Sequence, residues 1–179
     1  MDRLDFMLLA MPRSGTTWAA NWLTTDQSVC WHDPLRLDVP SAIDQWPSTK
    51  QYRGIACTGS WMWRDWIADH PARRIILDRD PWEINDSLIA IGLPPMTDEF
   101  IRAFRSVPGL RRPWMDLFDD PVSIWTALLP DIPFDPERHA VLMNMNIQPA
   151  GRVLLPDADV TRRAFADLKT QLEGGRSCR

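Results

Sequence analysis

Apolar and polar positions fall into short blocks of two kinds along this chain. Phe6–Met11 is a continuous apolar run, the pattern of a strand buried on both faces. Directly after the turn that follows, Thr17–Thr24 places Trp18, Ala19, Trp22 and Leu23 along one side, which predicts a helix. Val29–Trp31 reads as a short second strand, ending at His32-Asp33-Pro34. Residues 34–50, rich in Pro, Asp and Ser, read as a surface connection. Gly54–Thr58 is a third apolar run, and in "SWMWRDWIADH" Trp63, Trp66 and Ile67 share a helical face. Arg74–Leu77 is a fourth short strand.

A helix is expected next, because Asp80 suits N-cap, Pro81 suits N1 and Glu83 suits N3. Gly92 should stop it, with Pro94 and Pro95 beyond. Residues 97–106 and 121–129 are further helical stretches, the second opened by Asp120-Pro121 and closed by Pro130. From Met143 to Gln148 apolar and polar residues alternate, the signature of a half-buried strand. A last helix over Val160–Leu172 would align Ala164, Phe165, Leu168 and Leu172 and end at Gly174-Gly175. Strands alternating with helices predict an α/β fold with a mainly parallel central sheet flanked by helices in three layers. With no repeat and no low-complexity segment, the reading is one domain over residues 1–179.

Composition narrows the function. At 45% hydrophobic residues the chain can bury a core without disulfides or metal. A formal charge of −4 and a pI near 5.3 argue against nucleic acid or an anionic membrane as partner. A small anion needs only a local basic pocket. Cys30, Cys57 and Cys178 show neither disulfide nor metal-site spacing, and fit a reducing compartment. The first apolar run is too short for a signal peptide and follows Asp2 and Asp5; no stretch approaches the ~20 apolar residues of a membrane span. The expectation is a cytoplasmic protein. Ten tryptophans stand against a single tyrosine, and most should be core or pocket wall. Trp31, Trp61, Trp63 and Trp66, near strand ends, are candidates for an acceptor pocket, although such stripes more often belong to the core.

The chemistry concentrates in "MPRSGTTW", residues 11–18. A loop wrapping into a helix N-terminus can hold phosphate or sulfate on unpaired N–H groups. Gly15 permits close approach of the backbone or a positive φ. Ser14, Thr16 and Thr17 add hydroxyls, and Arg13 adds a forked charged donor. The bland alternative is a tight structural turn. A Walker A loop would require lysine after the glycine, where this chain has Thr16, and a first glycine where it has Ala10. The basic residue stands at position 13 instead.

Pro12-Arg13-Ser14-Gly15-Thr16-Thr17-Trp18 closely resembles the 5′-phosphosulfate loop of the sulfotransferase family, Pro-[Lys/Arg]-x-Gly-Thr-Thr-[Trp/Leu]. A second motif, Arg79-Asp80-Pro81 followed by Ser87, is similar to that family's 3′-phosphate pattern, Arg-[Asp/Asn]-Pro-x5-Ser. The resemblance covers residues 6 to about 93. It implies a P-loop-type fold and transfer of a sulfuryl group from 3′-phosphoadenosine 5′-phosphosulfate (PAPS) to a hydroxyl or amine of a small molecule or saccharide, releasing adenosine 3′,5′-bisphosphate (PAP) without metal. It implies nucleotide contacts from Arg13, Ser14, Gly15, Thr16, Thr17, Trp18, Arg79 and Ser87. Arg13 and the threonine after the glycine would stabilise the leaving phosphate.

Transfer also needs a base beside the acceptor. Some branches of the family use a histidine after the third strand, where this chain has Thr58-Gly59-Ser60-Trp61. Others use a glutamate after the second, where it has His32-Asp33. His32 is the first candidate, its ordinary pKa near 6.5 suiting a base, and Asp33 the second. His70 and His139 read as non-catalytic. The family's closing Gly-x-x-Gly-x-x-Lys segment has no counterpart, so a partner subunit of a homodimer could cover the nucleotide. Arg111, Arg112 and Arg152 are candidates for the lost phosphate contacts, with solvated surface arginines as the simpler reading. The alternatives are a P-loop kinase, disfavoured by Thr16, and a catalytically inactive nucleotide-binding module.

Overall fold

The computed structural model describes residues 3–145 of the 179-residue chain. Among the described residues are five strands: β1 (Phe6–Ala10), β2 (Ser28–His32), β3 (Tyr52–Cys57), β4 (Arg73–Asp78) and β5 (Leu110–Pro113). They form one sheet in the order β2-β3-β1-β4-β5, and every neighbouring pair is parallel. The helices are α1 (Thr16–Trp22), α2 (Pro40–Ile43), α3 (Arg64–Asp69), α4 (Pro81–Ile89), α5 (Asp98–Arg105), α6 (Asp116–Asp119), α7 (Pro121–Leu128) and α8 (Pro136–Met143). The fold class is therefore α/β with an all-parallel sheet between helices. No helix among the described residues is long and apolar enough to cross a membrane.

The continuous apolar run in β1 follows from its place in the middle of the sheet, where all five residues are buried. Phe6, Leu8 and Ala10 face one core with Ala19, Ala20 and Trp22 of α1, Leu117 of α6 and Ile124, Trp125 and Leu128 of α7. Met7, Leu9 and Met11 face the other with Ile43, Ile67, Ile84, Leu88 and Phe104 from α2 to α5. Strand alternation thus sends successive side chains into two cores. Each fully buried side chain of this size contributes about 1.5–3 kcal/mol.

Strand order positions the site. The chain leaves β1 through α1 for β2, beyond β3, whereas it leaves β4 through α4 and α5 for β5 on the opposite side. Between the carboxyl ends of β1 and β4 the connections diverge, and open α/β sheets bind ligands at such a switch point. The loops at residues 11–15 and 79–80 flank this crevice.

Helix caps form where the sequence places them. Asp80 Oδ1 accepts from the N–H of Trp82 at 2.7 Å, with Pro81 opening α4, and Gly92 at φ 78° closes its far end. Thr97 and Asp120 cap α5 and α7 in the same way.

Three expectations require correction. The alternating segment from Met143 is not a strand where it is described: Met143 ends α8 and residues 144–145 form a turn. Asp135 caps that helix with Pro136 behind it, and His139 and Leu142 face inward. Residues 146–148 lie outside the described residues, as do Arg152, Cys178 and the helix expected over 160–172. The connection at 34–50 carries a 3₁₀ turn and α2, with Leu35 and Ile43 buried in the second core. Finally, β5 falls in a stretch read without a strand.

Outward backbone groups of the β2 edge are taken up by the chain's own threonines. Gln27 O accepts from Tyr52 N and Asp33 N donates to Ala56 O, so Ser28 and Cys30 turn their backbone groups away from β3. Thr25 meets those of Ser28 and Thr24 those of Cys30, including Cys30 N to Thr24 Oγ1 at 3.0 Å. At the opposite edge Trp114 N donates to Asp78 O, which turns Pro113 outward, where its missing N–H costs nothing.

Candidate functional site

Pro12 to Gly15 form a turn that two left-handed residues make possible, Arg13 at φ 64° and Gly15 at φ 82°. A Cβ on Gly15 would be strained at this φ and would also press on Leu117 Cδ1 at 3.0 Å, so glycine is favoured on both counts. Gly15 stands at the N-cap of α1 and, having no side chain, makes no capping bond to the amides of its first turn. Ser14 is fully buried, its hydroxyl directed at Pro12 O at 3.4 Å, and Thr16 is buried as well.

The second motif is tied to the first. Arg13 Nε donates to Ser87 Oγ at 3.0 Å, reaching from the loop to the middle of α4. Arg79 Nη1 donates to Arg13 O, Arg79 Nε donates to Glu83 at 3.1 Å, and the guanidinium lies 4.3 Å above the Trp114 ring. Two segments 66 and 74 residues apart thus share one arginine. The ring beneath Arg79 supports the plane of its charge, a contribution of about 0.5–2 kcal/mol at a half-buried position.

His32 approaches from the other side. Its Nε2 lies 3.2 Å from Thr16 Oγ1 and 3.1 Å from Thr17 Oγ1. β2 runs one residue beyond the expected end at Trp31 and includes His32. Asp33 follows at φ 49°, a conformation aspartate tolerates. Its Oδ1 accepts from Thr58 N at 2.6 Å and from Thr58 Oγ1 at 3.0 Å, and Oδ2 stands 3.6 Å from His32 Nε2. The ends of β2 and β3 are thereby pinned together beside the loop.

Of the sequence candidates, Arg13, Ser14, Gly15, Thr16, Thr17, Arg79, Ser87, His32 and Asp33 converge at this end of the sheet. Trp18 faces elsewhere: its ring lies 5.2–5.4 Å from those of Trp22, Phe118 and His139, and its Nε1 donates to Leu142 O. Arg111 and Arg112 are not loosely solvated. Arg111 binds Asp78 at 2.6 Å and the carbonyls that end α5, and Arg112 binds Asp116 and Asp120 at 2.7 Å. With Arg79 and Arg105 they line an open cleft of about 660 Å³ that continues from the crevice toward β5.

Two histidines have structural partners. His70 Nε2 meets Asp44 at 3.1 Å while its Nδ1 accepts from Ala72 N, and His139 Nε2 meets Leu117 O at 2.9 Å. Trp31, Trp61, Trp63 and Trp66 pack partly buried on the second core, Trp31 against Trp46 and Trp61 against Phe100. Sequence reasoning missed Thr58 and Trp114 as supports. Thr58 had a legible signal, since it ends the apolar run of β3; Trp114 had none.

The donor set consists of two guanidiniums, hydroxyls and opening helix amides, which suits a multiply charged oxyanion. Among the described residues no group of three or more His, Cys, Asp or Glu side chains is placed to hold a metal ion. No protein-family model matches the chain, and no curated protein matches it.

Proposed function

We propose that the protein is a sulfotransferase on a P-loop-type fold, carrying a sulfuryl group from PAPS to a hydroxyl or amine of a small molecule or saccharide. The observation that carries this reading is the tie between the motifs. Arg13 of the loop bonds Ser87, and Arg79 bonds the Arg13 carbonyl, at the switch point between β1 and β4. One ligand bearing two separated anionic groups would engage both motifs at once.

In this reading the residues divide the work. Arg13, the Thr16 and Thr17 hydroxyls and the first amides of α1 receive the 5′-phosphate end. Arg79 and Ser87 receive the 3′-phosphate, with the cleft toward β5 as adjoining space. His32 takes the acceptor's proton as the acceptor oxygen forms its bond to sulfur. The bond from sulfur to the 5′-phosphate breaks with its electron pair, and the charge arriving on that phosphate falls beside Arg13 and Thr16. Fixed donors where charge develops are worth several kcal/mol in such steps.

The test is calorimetric titration with PAP, AMP and Mg-ATP. Losing a charge-assisted set of contacts costs about 2–3 kcal/mol, so PAP should bind tens-fold more tightly than AMP. Equal affinity for PAP and AMP removes the second motif from the site, and preference for Mg-ATP moves the protein to the kinase class.

A further inference from the structure

One nitrogen of His32 makes all of its side-chain contacts. Nε2 faces the hydroxyls of Thr16 and Thr17 and the Asp33 carboxylate, while Nδ1 has no hydrogen-bond partner among the described residues. A neutral imidazole carries a proton on one nitrogen and a lone pair on the other. At 3.6 Å the carboxylate is beyond hydrogen-bond range of Nε2, yet its charge attracts an N–H there and repels a lone pair. The carboxylate cannot turn away, because the N–H and hydroxyl of Thr58 both grip Oδ1 and leave Oδ2 toward the ring.

We infer that Asp33, held by Thr58, fixes His32 as the tautomer protonated on Nε2, and that this sets the direction of hydrogen bonding in the anion loop. An Nε2–H donates to Thr16 and Thr17 Oγ1. Those hydroxyls, accepting from the ring, direct their own protons elsewhere, and an oxyanion seated on the loop receives them. The opposite tautomer would draw a threonine proton toward histidine and turn lone pairs toward the anion. The same assignment leaves the Nδ1 lone pair as the atom that accepts a proton. After it does so, the ring is a cation with N–H on both nitrogens, and the Asp33 charge stands beside it. Asp33 and Thr58 are positioning residues, acting through His32. The identity of the proton accepted rests on the sulfotransferase reading; the tautomer does not.

The experiment is long-range proton–nitrogen NMR on the uniformly ¹⁵N-labelled full chain at pH about 8, above the ordinary histidine pKa near 6.5. Only three histidines contribute, and the set absent from His32→Gln is that of His32. The expected result is a protonated Nε2 and a lone-pair Nδ1. Asp33→Asn, which keeps a side chain compatible with φ 49°, should shift the population toward Nδ1–H, as should Thr58→Val to a smaller degree. Thr58→Ser should restore the wild-type pattern, which separates the missing hydroxyl from general loosening. Asp33→Asn should also weaken PAP binding about 2–10-fold, the worth of one net hydrogen bond on the loop. A wild-type His32 protonated on Nδ1, or a tautomer unmoved by Asp33→Asn, overturns the inference. Failure of the wild type to bind PAP overturns the sulfotransferase reading instead and leaves the nitrogen spectrum to decide the tautomer.

Discussion

Replacing Ser87 by alanine removes one atom and asks what it holds. Ser87 Oγ accepts from Arg13 Nε at 3.0 Å, and no larger change to α4 is involved. A hydrogen bond to a charged group contributes about 1.5–3 kcal/mol in protected surroundings. Both residues are only half-buried, so water replaces part of the loss and about 1 kcal/mol is the expected cost to stability. In a domain of this size that lowers Tm by roughly 2–5 °C. The ligand effect should be selective. If the hydroxyl helps receive a 3′-phosphate, PAP affinity falls about 5–10-fold, while AMP, which lacks that group, changes less than about twofold. Calorimetric titration of both nucleotides into wild type and Ser87→Ala reads the difference directly, with the Tm as a control for folding. Equal losses for both would mean that Ser87 serves the loop only by steadying Arg13. No loss for either would refute its place in the site.

Two further perturbations probe the scaffold. A Cβ on Gly54 would lie 2.2 Å from Cε2 of Phe6, its register partner and a fully buried ring, so Gly54→Ala should cost about 1–3 kcal/mol. Chemical denaturation should show that loss and show part of it recovered in Phe6→Leu/Gly54→Ala; a single variant as stable as wild type would contradict the packing. Burial pushes the Cys57 thiol from its usual value of 9.0 up to about 12, and burial raises Cys30 as well. The thiols therefore stay protonated when folded and ionise when unfolded. Their contribution to stability is complete below pH about 9 and is lost as pH rises from there toward about 12, by up to about 1.4 kcal/mol per unit for each thiol. Denaturant melts at successive pH values should lose this slope in Cys57→Ala in proportion.

What was legible in the sequence was local. β1 announces itself because a strand buried on both faces is apolar throughout, β3 and β4 by their buried apolar centres, and α4 and α7 because their caps are written in Asp80-Pro81 and Asp120-Pro121. β5 is hidden because an edge strand pairs on one side only, and Leu-Arg-Arg-Pro satisfies that with half-exposed residues. α8 carries the same Asp-Pro opening at 135–136 as α4 and α7, and the alternation after it was the weaker signal. In the site the loop residues and Arg79 were readable from spacing. The contacts among them were not: the Arg13–Ser87 bond spans 74 residues, and the His32–Thr17 contact depends on β2 lying two strands away from β1. No local preference encodes such distances; strand order does.

The hydroxyls of Thr24 and Thr25 along β2 have a consequence for association. An exposed strand edge is a template on which another chain can polymerise. Here two of the amides that would recruit a sixth strand already hold threonine oxygens from their own connection, and the far edge ends in proline beside paired arginine charges. Growth of the sheet by strand addition at β2, whether from a second copy, an extended peptide or a nascent fibril, would first have to break those internal bonds. Mutating Thr24 to valine would therefore free the outward groups of Cys30, leaving Thr25 on Ser28, without touching the anion loop.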